Sequence, residues 1–372
     1  MKNVINGEIK QLLSQKGPGC ISVTLPMQKL PSDGKQNSIT IDNTLNNILT
    51  LIEAQYQPPV SNQLATAVVE MRKNVSLSKG LEGVGFFISP TMTKMVEFPF
   101  PVQEKVSLGD SFVIRDVVYK YSHLQDYLLL MLNTGTVHLK RGSGDTLEEI
   151  SDGNFPAAFS DNYEYNSPGQ ANAPTVGTHM AEKDKSVMQQ IRTQDFFKSI
   201  DDKLNGYLLN NIPLVVAGVN KNLGYFEKLT RHSDHIIGTV PGSYDHDNDH
   251  QLKQRVWTVI KEYRDSNQDE IIHAAREMDP GMFSTGIQSV WTDAYLGKGY
   301  RLLVERDFMQ PGFVGEDELN LALSVPAGGH RILSDAVDDI IETVLEKDGE
   351  VVFVENGKLE EFGRIGLIKR FI

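Results

Sequence analysis

The densest group of metal-capable side chains in this 372-residue sequence is Asp245-His246-Asp247-Asn248-Asp249-His250. Histidine and carboxylate side chains are good divalent-cation ligands. The run is consecutive, however, and not spaced to converge on one helix face. Asp247 or Asp249 accepting N–H bonds at the start of the helix that leads to Trp257 is the plainer reading, and no metal site is expected. A second group is Gln28, Lys29, Lys35 and Gln36, set around Gly34 in Met27–Ser38. Such side chains can meet RNA phosphates and base edges, although an ordinary solvated loop has the same composition. Arg72, Lys73 and Lys79 form a smaller basic group. A third candidate is Ser167-Pro168-Gly169-Gln170, within the polar stretch Ser151–Ser186. A connection of that length in a compact domain is either functional or without fixed structure. There is no P-loop, so nucleotide binding by this chain is not expected. Pro326-Ala327-Gly328-Gly329 reads as a simple turn, and no Ser/His/Asp arrangement can be assigned from spacing.

Composition narrows the setting. The chain is 40% hydrophobic and 23% charged, enough to bury real cores. Cys20 is the one cysteine, which excludes an internal disulfide and points to a reducing compartment. No apolar run reaches membrane-spanning length and the first residues lack an apolar signal region, so a cytoplasmic protein is expected. A net charge of −13 argues against a simple nucleic-acid binder. The charge is graded: net +1 over residues 1–118, −4 over 119–262 and −10 over 263–372. Any RNA-facing surface is expected toward the N-terminal end. The acidic last third suits a protein partner or open solvent, and a gradient that only aids solubility is the competing view.

These groups must be positioned by regular elements. A helix is expected over Asn6–Gln15, then a strand, Cys20–Leu25, and a loop, Met27–Ser38. Asp42 is placed to cap a helix carrying Leu45, Ile48, Leu49 and Ile52 on one face. Strands follow at Gly83–Ser89 and Met95–Val102. Asp126–Gly142 reads as a hairpin turning at Asn133-Thr134-Gly135. Beyond the polar stretch come a helix, Asp195–Leu209, a buried strand, Ile212–Val219, a helix, Lys221–Leu229, and a short strand and turn, His235–Asp245. A helix over Asp249–Tyr263 closes the middle part. The last part reads as helices near Gln268–Arg276, Thr285–Leu296 and Ser334–Glu346, with strands Tyr300–Phe308, Glu350–Asn356 and Ile365–Phe371.

Stretches in all three parts are similar to one family. They include GVGFFISPTMTKMVEFPFPVQEKVSLGDSFVIRDVVY, then DYLLLMLNTGTVHLKRG with PLVVAGVNKNLGYFEKLTRHSDHIIGTV, and DAVDDIIETVLEKDGEVVFVENGKLEEFGRIGLIKRF. In this order they resemble the bacterial relatives of the archaeal and eukaryotic peptide-chain release factor and of Pelota. The resemblance implies a mixed α/β (α+β) chain of three domains. Residues 1–120 would form an N-terminal α/β domain facing the decoding centre. Residues 121–264 would form a ribonuclease-H-like middle domain whose long loop, 151–186, faces the peptidyl-transferase centre. Residues 265–372 would form a ribosomal-protein-like α/β/α sandwich that contacts a translational GTPase such as elongation factor Tu. In line, the three would have roughly the reach of a tRNA in the A site. The partners so implied are the ribosome, through the rRNA of both centres, and the GTPase. No cofactor or membrane is expected, and a monomer is.

The resemblance also gives Gly169-Gln170 a meaning. A catalytic release factor carries Gly-Gly-Gln there: the glycines let the backbone enter a tight site and the glutamine helps place the attacking water. Here Pro168 stands where the first glycine would, with φ fixed near −65° and no N–H. The basic residues expected after the motif are also missing; Lys183, Lys185 and Arg192 come well downstream. Gln28, Lys29, Lys35 and Gln36 become candidate decoding-centre contacts. The strands Leu128–Leu132, Val137–Lys140 and Leu214–Val219 lack the carboxylates of a Mg²⁺-dependent nuclease, so that activity is not expected. The favoured expectation is a hibernation factor without catalytic residues. The alternatives are a rescue factor that hydrolyses peptidyl-tRNA through Gln170, and a general RNA-binding module.

Overall fold

Apolar side chains on both faces of a short sheet set the layout of the N-terminal segment. The structure, a computed structural model, describes residues 7–28, 34–78, 80–123, 126–133, 135–144, 146–159, 178–244 and 249–372. The segment runs α1 (Gly7–Leu13), β1 (Cys20–Pro26), α2 (Gly34–Gln55), α3 (Val60–Lys73), β2 (Gly83–Ile88), β3 (Thr93–Phe98), β4 (Lys105–Gly109) and α4 (Arg115–His123). The strands pair antiparallel in the order β3-β2-β1-β4. Because successive residues of a strand face opposite ways, Ile21, Val23 and Leu25 of β1 meet Ile41, Leu45, Ile48 and Ile52 of α2 and Leu64 and Val68 of α3. The other face carries Cys20, Phe87, Val96 and Phe98, which join a second core.

The middle part runs β5 (Asp126–Leu132), β6 (Thr136–Ser143), β7 (Thr146–Glu149), β8 (Ala157–Ala158), α5 (Thr178–Leu204), β9 (Leu214–Gly218), α6 (Asn220–Leu229), β10 (Ile236–Pro241) and α7 (Asp249–Arg276). Its sheet has the order β10-β9-β5-β6-β7, with β8 on β6. The β5-β6-β7 meander is antiparallel, and β9 and β10 extend it in parallel. Leu128, Leu130 and Val216 point to Phe197 and Ile200 of α5 and Phe226 of α6. Leu129, Met131 and Val215 point to Leu252, Val256 and Ile260 of α7. Helices thus cover both faces, and the strands read as continuous apolar runs for that reason.

The last part runs β11 (Phe283–Thr285), α8 (Ile287–Tyr295), β12 (Gly299–Glu305), β13 (Gly312–Val314), β14 (Leu321–Ala322), β15 (Arg331–Leu333), α9 (Ala336–Glu346), β16 (Glu350–Val354) and β17 (Ile365–Lys369). One sheet has the order β11-β17-β12-β16, and a small second sheet has the order β14-β13-β15. Asp335 caps α9 by accepting the N–H of Val337 at 3.1 Å.

The chain divides into two compact units, Leu124–Asp269 and Lys2–His123 with Glu270–Ile372. The domains expected over 1–120 and 265–372 therefore lie in one unit. The physical reason is the second core: Leu12, Phe87, Phe98, Phe112 and Val117 share it with Trp291, Leu302, Ile340, Val344 and Phe353.

Several local expectations change. Asp42 is no cap, since α2 begins at Gly34 and Asp42 lies about two turns inside it. There it pairs with Arg72 of α3 at 2.8 Å. The helix expected from Asp195 begins at Thr178, which shortens the polar connection. The two helices read across Asp249–Arg276 are the single helix α7. Phe283–Thr285 is a strand, with α8 starting only at Ile287.

Candidate functional site

Of the residues that the sequence offers for RNA contact, Gln28, Lys35 and Gln36 are described. Met27 is buried at the end of β1, and the next residue, Gln28, is exposed. The buried Asn37 of α2 is tied to Gln28: its side-chain oxygen accepts the Gln28 N–H at 3.1 Å and its amide donates to the Gln28 carbonyl at 3.0 Å. This bidentate bond mimics a strand pair and fixes Gln28 beside the first turn of α2. Lys35 and Gln36 are exposed in that turn, as Gln28 is beside it. Lys29 lies outside the described residues. In the second basic group, Arg72 is already engaged by Asp42 and by the Asn46 side chain at 3.1 Å, and Lys79 lies outside the described residues.

Ser167, Pro168, Gly169 and Gln170 also lie outside the described residues; they belong to the connection between β8 and α5. Asp245–Asn248 lie outside them too, and Asp249 opens α7. Among the described residues no group of His, Cys, Asp and Glu is arranged to hold a metal ion.

The structure adds a site that the sequence did not reveal. A cavity of about 310 Å³ opens where the N-terminal sheet meets the C-terminal sandwich. Ser22 and Thr24 of β1, Lys105 of β4, Arg115, Asp116 and Tyr119 of α4, Arg306 after β12 and Asp338 of α9 line it. Ser22 Oγ accepts the Val113 N–H at 2.9 Å, and Thr24 Oγ1 donates to the Gln103 carbonyl at 2.8 Å. Both hydroxyls therefore hold backbone. Arg115 is buried and donates to the Phe308 carbonyl at 2.7 Å. Its Nε is 2.7 Å from Asp338 and its Nη2 is 3.0 Å from Asp335. These two contacts are charge pairs by distance, lying off the direction of an aligned hydrogen bond. Lys105 adds a 2.7 Å bond to Asp338. Arg306 stacks over Tyr119 at 4.5 Å, with Nη2 donating to the Pro101 carbonyl at 2.9 Å.

The acids here respond to their surroundings. Burial, with Asp338 nearby, pushes the Asp116 carboxyl up to about 6 against the pull of Arg115, Lys105 and Arg306. Burial likewise raises Asp339 to about 6 and moves Asp335 upward, the latter also through its neighbour Asp338. Desolvation of these carboxylates outweighs the cations beside them. The arrangement joins the two segments by charge and does not converge on a reacting atom. No sequence signal could have found it, because Lys105 and Arg115 stand about two hundred positions from Arg306 and Asp338.

The match to a family model falls mainly on the other unit, Leu124–Asp269. Residues 126–298, from β5 through α8, match the family model of Bacterial archaeo-eukaryotic release factor family 3. No curated protein matches the chain. Among solved structures, the archaeal translation termination factor aRF1 is 12% identical over 98% of this chain and 96% of its own, with a TM-score of 0.24. Archaeoglobus fulgidus Pelota is 16% identical over 79% and 83%, with a TM-score of 0.36. S. cerevisiae Dom34, a translation termination-like factor, is 10% identical over 82% and 78%, with a TM-score of 0.38. Likeness at this level carries no argument about function.

Proposed function

We propose that this protein is a ribosome-associated translation factor that occupies the A site of idle ribosomes and protects them without hydrolysing peptidyl-tRNA. One observation carries the reading. The segment matched by the release-factor family model contains Ser167-Pro168-Gly169-Gln170 between β8 and α5. A factor that enters the peptidyl-transferase centre with proline in place of the first glycine keeps its reach and loses the backbone freedom used in hydrolysis. With the end segments sharing one core, the reading rests on this match and not on a count of three units.

In this reading Gln28, Lys29, Lys35 and Gln36 face the decoding centre. The middle unit faces the peptidyl-transferase centre, and a translational GTPase such as elongation factor Tu delivers the protein. The chain is then similar to the ribosome hibernation factor Balon. Such a factor acts in the cytoplasm, as a monomer and without a cofactor.

A peptide-release assay on purified stalled ribosomes tests the claim. The expected result is no release above background, with Gln170→Ala indistinguishable from wild type. Robust release that disappears in Gln170→Ala would establish the rescue reading instead.

A further inference from the structure

The small sheet β14-β13-β15 buries one face and leaves the other partly exposed, with Phe313 and Ala322 half-buried and Ile332 open. Its inner residues Leu321, Val314, Gly312 and Leu333 are buried. The register places Phe313 opposite Ala322 on one side and opposite Ile332 on the other, so these three form one row across the outer face. Ile332 is 70% exposed, and Val325 in the adjoining loop is 69% exposed, with Leu319 and Leu323 also exposed. A contiguous apolar row of this kind marks an interaction surface more often than scattered single residues do.

The backbone beneath this surface is fixed. Three side chains of α8 hold the β13–β14 connection and the start of β14: Trp291 donates to the Glu318 carbonyl at 2.9 Å, Thr292 to that of Leu319 at 2.9 Å and Gln288 to that of Leu321 at 3.0 Å. His330 stands edge-on to Phe313 at 5.4 Å and meets the Gly328 carbonyl at 2.9 Å. Apolar side chains are thus presented from a pinned frame, which lowers the ordering cost of docking. The same connection carries Glu316, Asp317 and Glu318, all exposed. Acids at the rim repel nucleic-acid phosphates and anionic lipid, and they attract Lys and Arg.

We infer that the outer face of β14-β13-β15 docks a basic ribosomal protein, with apolar side chains of that protein on Phe313 and Ile332 and its cations on Glu316, Asp317 and Glu318. This inference rests on the ribosome-associated reading above. To test it, full-length protein with p-benzoylphenylalanine in place of Ile332 is bound to salt-washed 70S ribosomes and irradiated. In parallel, the Val325→Asp, Ile332→Asp double variant is co-sedimented with the same ribosomes. The inference expects an adduct to a basic ribosomal protein and about tenfold weaker sedimentation of the variant, with its thermal unfolding unchanged. An adduct to rRNA, an adduct to a second copy of this chain, or undiminished sedimentation of the variant overturns the docking surface and leaves the ribosome reading standing. Wild-type protein that does not sediment with ribosomes overturns both.

Discussion

Arg115 on α4 and Asp338 on α9 lie 2.7 Å apart across the seam where residues 7–123 meet residues 270–372. The guanidinium is buried, and its other partners are Asp335 and the Phe308 carbonyl. Removing one member of a buried ion pair leaves the others uncompensated, which costs about 3–5 kcal/mol. Arg115→Met should therefore lower the urea midpoint of this unit strongly. The Arg115→Met, Asp338→Leu double variant should recover part of the loss. A single-variant loss under about 1 kcal/mol would show that water reaches the pair.

Asp116 gives a pH dependence with an unusual sign. A carboxyl raised to about 6 when folded binds its proton more tightly than in the unfolded chain. Its ionisation therefore weakens the fold, and stability falls as pH rises from about 4 to about 6. Asp335 and Asp339, also shifted upward, add in the same direction. Asp116→Asn should raise stability at neutral pH by about 1–3 kcal/mol and flatten this part of the pH profile. Equal denaturation midpoints for both proteins at pH 5 and pH 8 would contradict the assignment.

Glu305, at the end of β12, is 1% exposed. It accepts the N–H of Gly357 at 2.9 Å and of Leu359 at 3.0 Å, and Arg364 Nε at 2.7 Å. One carboxylate thus closes the β16–β17 connection. Glu305→Ala should cost about 3 kcal/mol, because buried donors lose a charged acceptor. Hydrogen exchange at Gly357 and Leu359 should accelerate first; unchanged exchange at both would refute the role.

The surface beside the Asn37 clamp predicts a salt signature. Lys29→Glu with Lys35→Glu should reduce sedimentation with 70S ribosomes more at about 50 mM salt than at about 200 mM, if those cations neutralise phosphates. Equal binding at both salt concentrations would remove this surface from the interface. Asn37→Ala should weaken binding without changing the salt slope, since it loosens Gln28 and leaves the charges in place.

Local signals were the legible ones. The hairpin at Asn133-Thr134-Gly135 could be read because turn chemistry and flanking strands are adjacent in sequence, and Leu132 pairs with Val137 as a short turn requires. Asp265-Ser266-Asn267 are poor helix formers and predict a break where α7 is continuous. Packing on both sides overrides them, with Val256 and Ile260 buried before and Ile272 and Ala275 after. Asp42 looked like a cap because its type favours caps, but Asn37 clamps the chain earlier and α2 starts ahead of both. The cavity at Arg115 was unreadable because charge pairing across more than two hundred residues leaves no periodic trace.

The core shared by Phe87, Phe98, Ile340 and Phe353 orders events on the translating ribosome. A nascent chain completes β4 at Gly109 about 190 residues before β12 begins at Gly299, a wait of roughly 10 to 40 seconds at ordinary elongation rates. During that interval the face that carries Phe87 and Phe98 has only α1, α4 and the residues beside them to cover it, and the middle unit is completed first. Slower elongation through the middle unit is therefore expected to raise aggregation of newly made protein at that face.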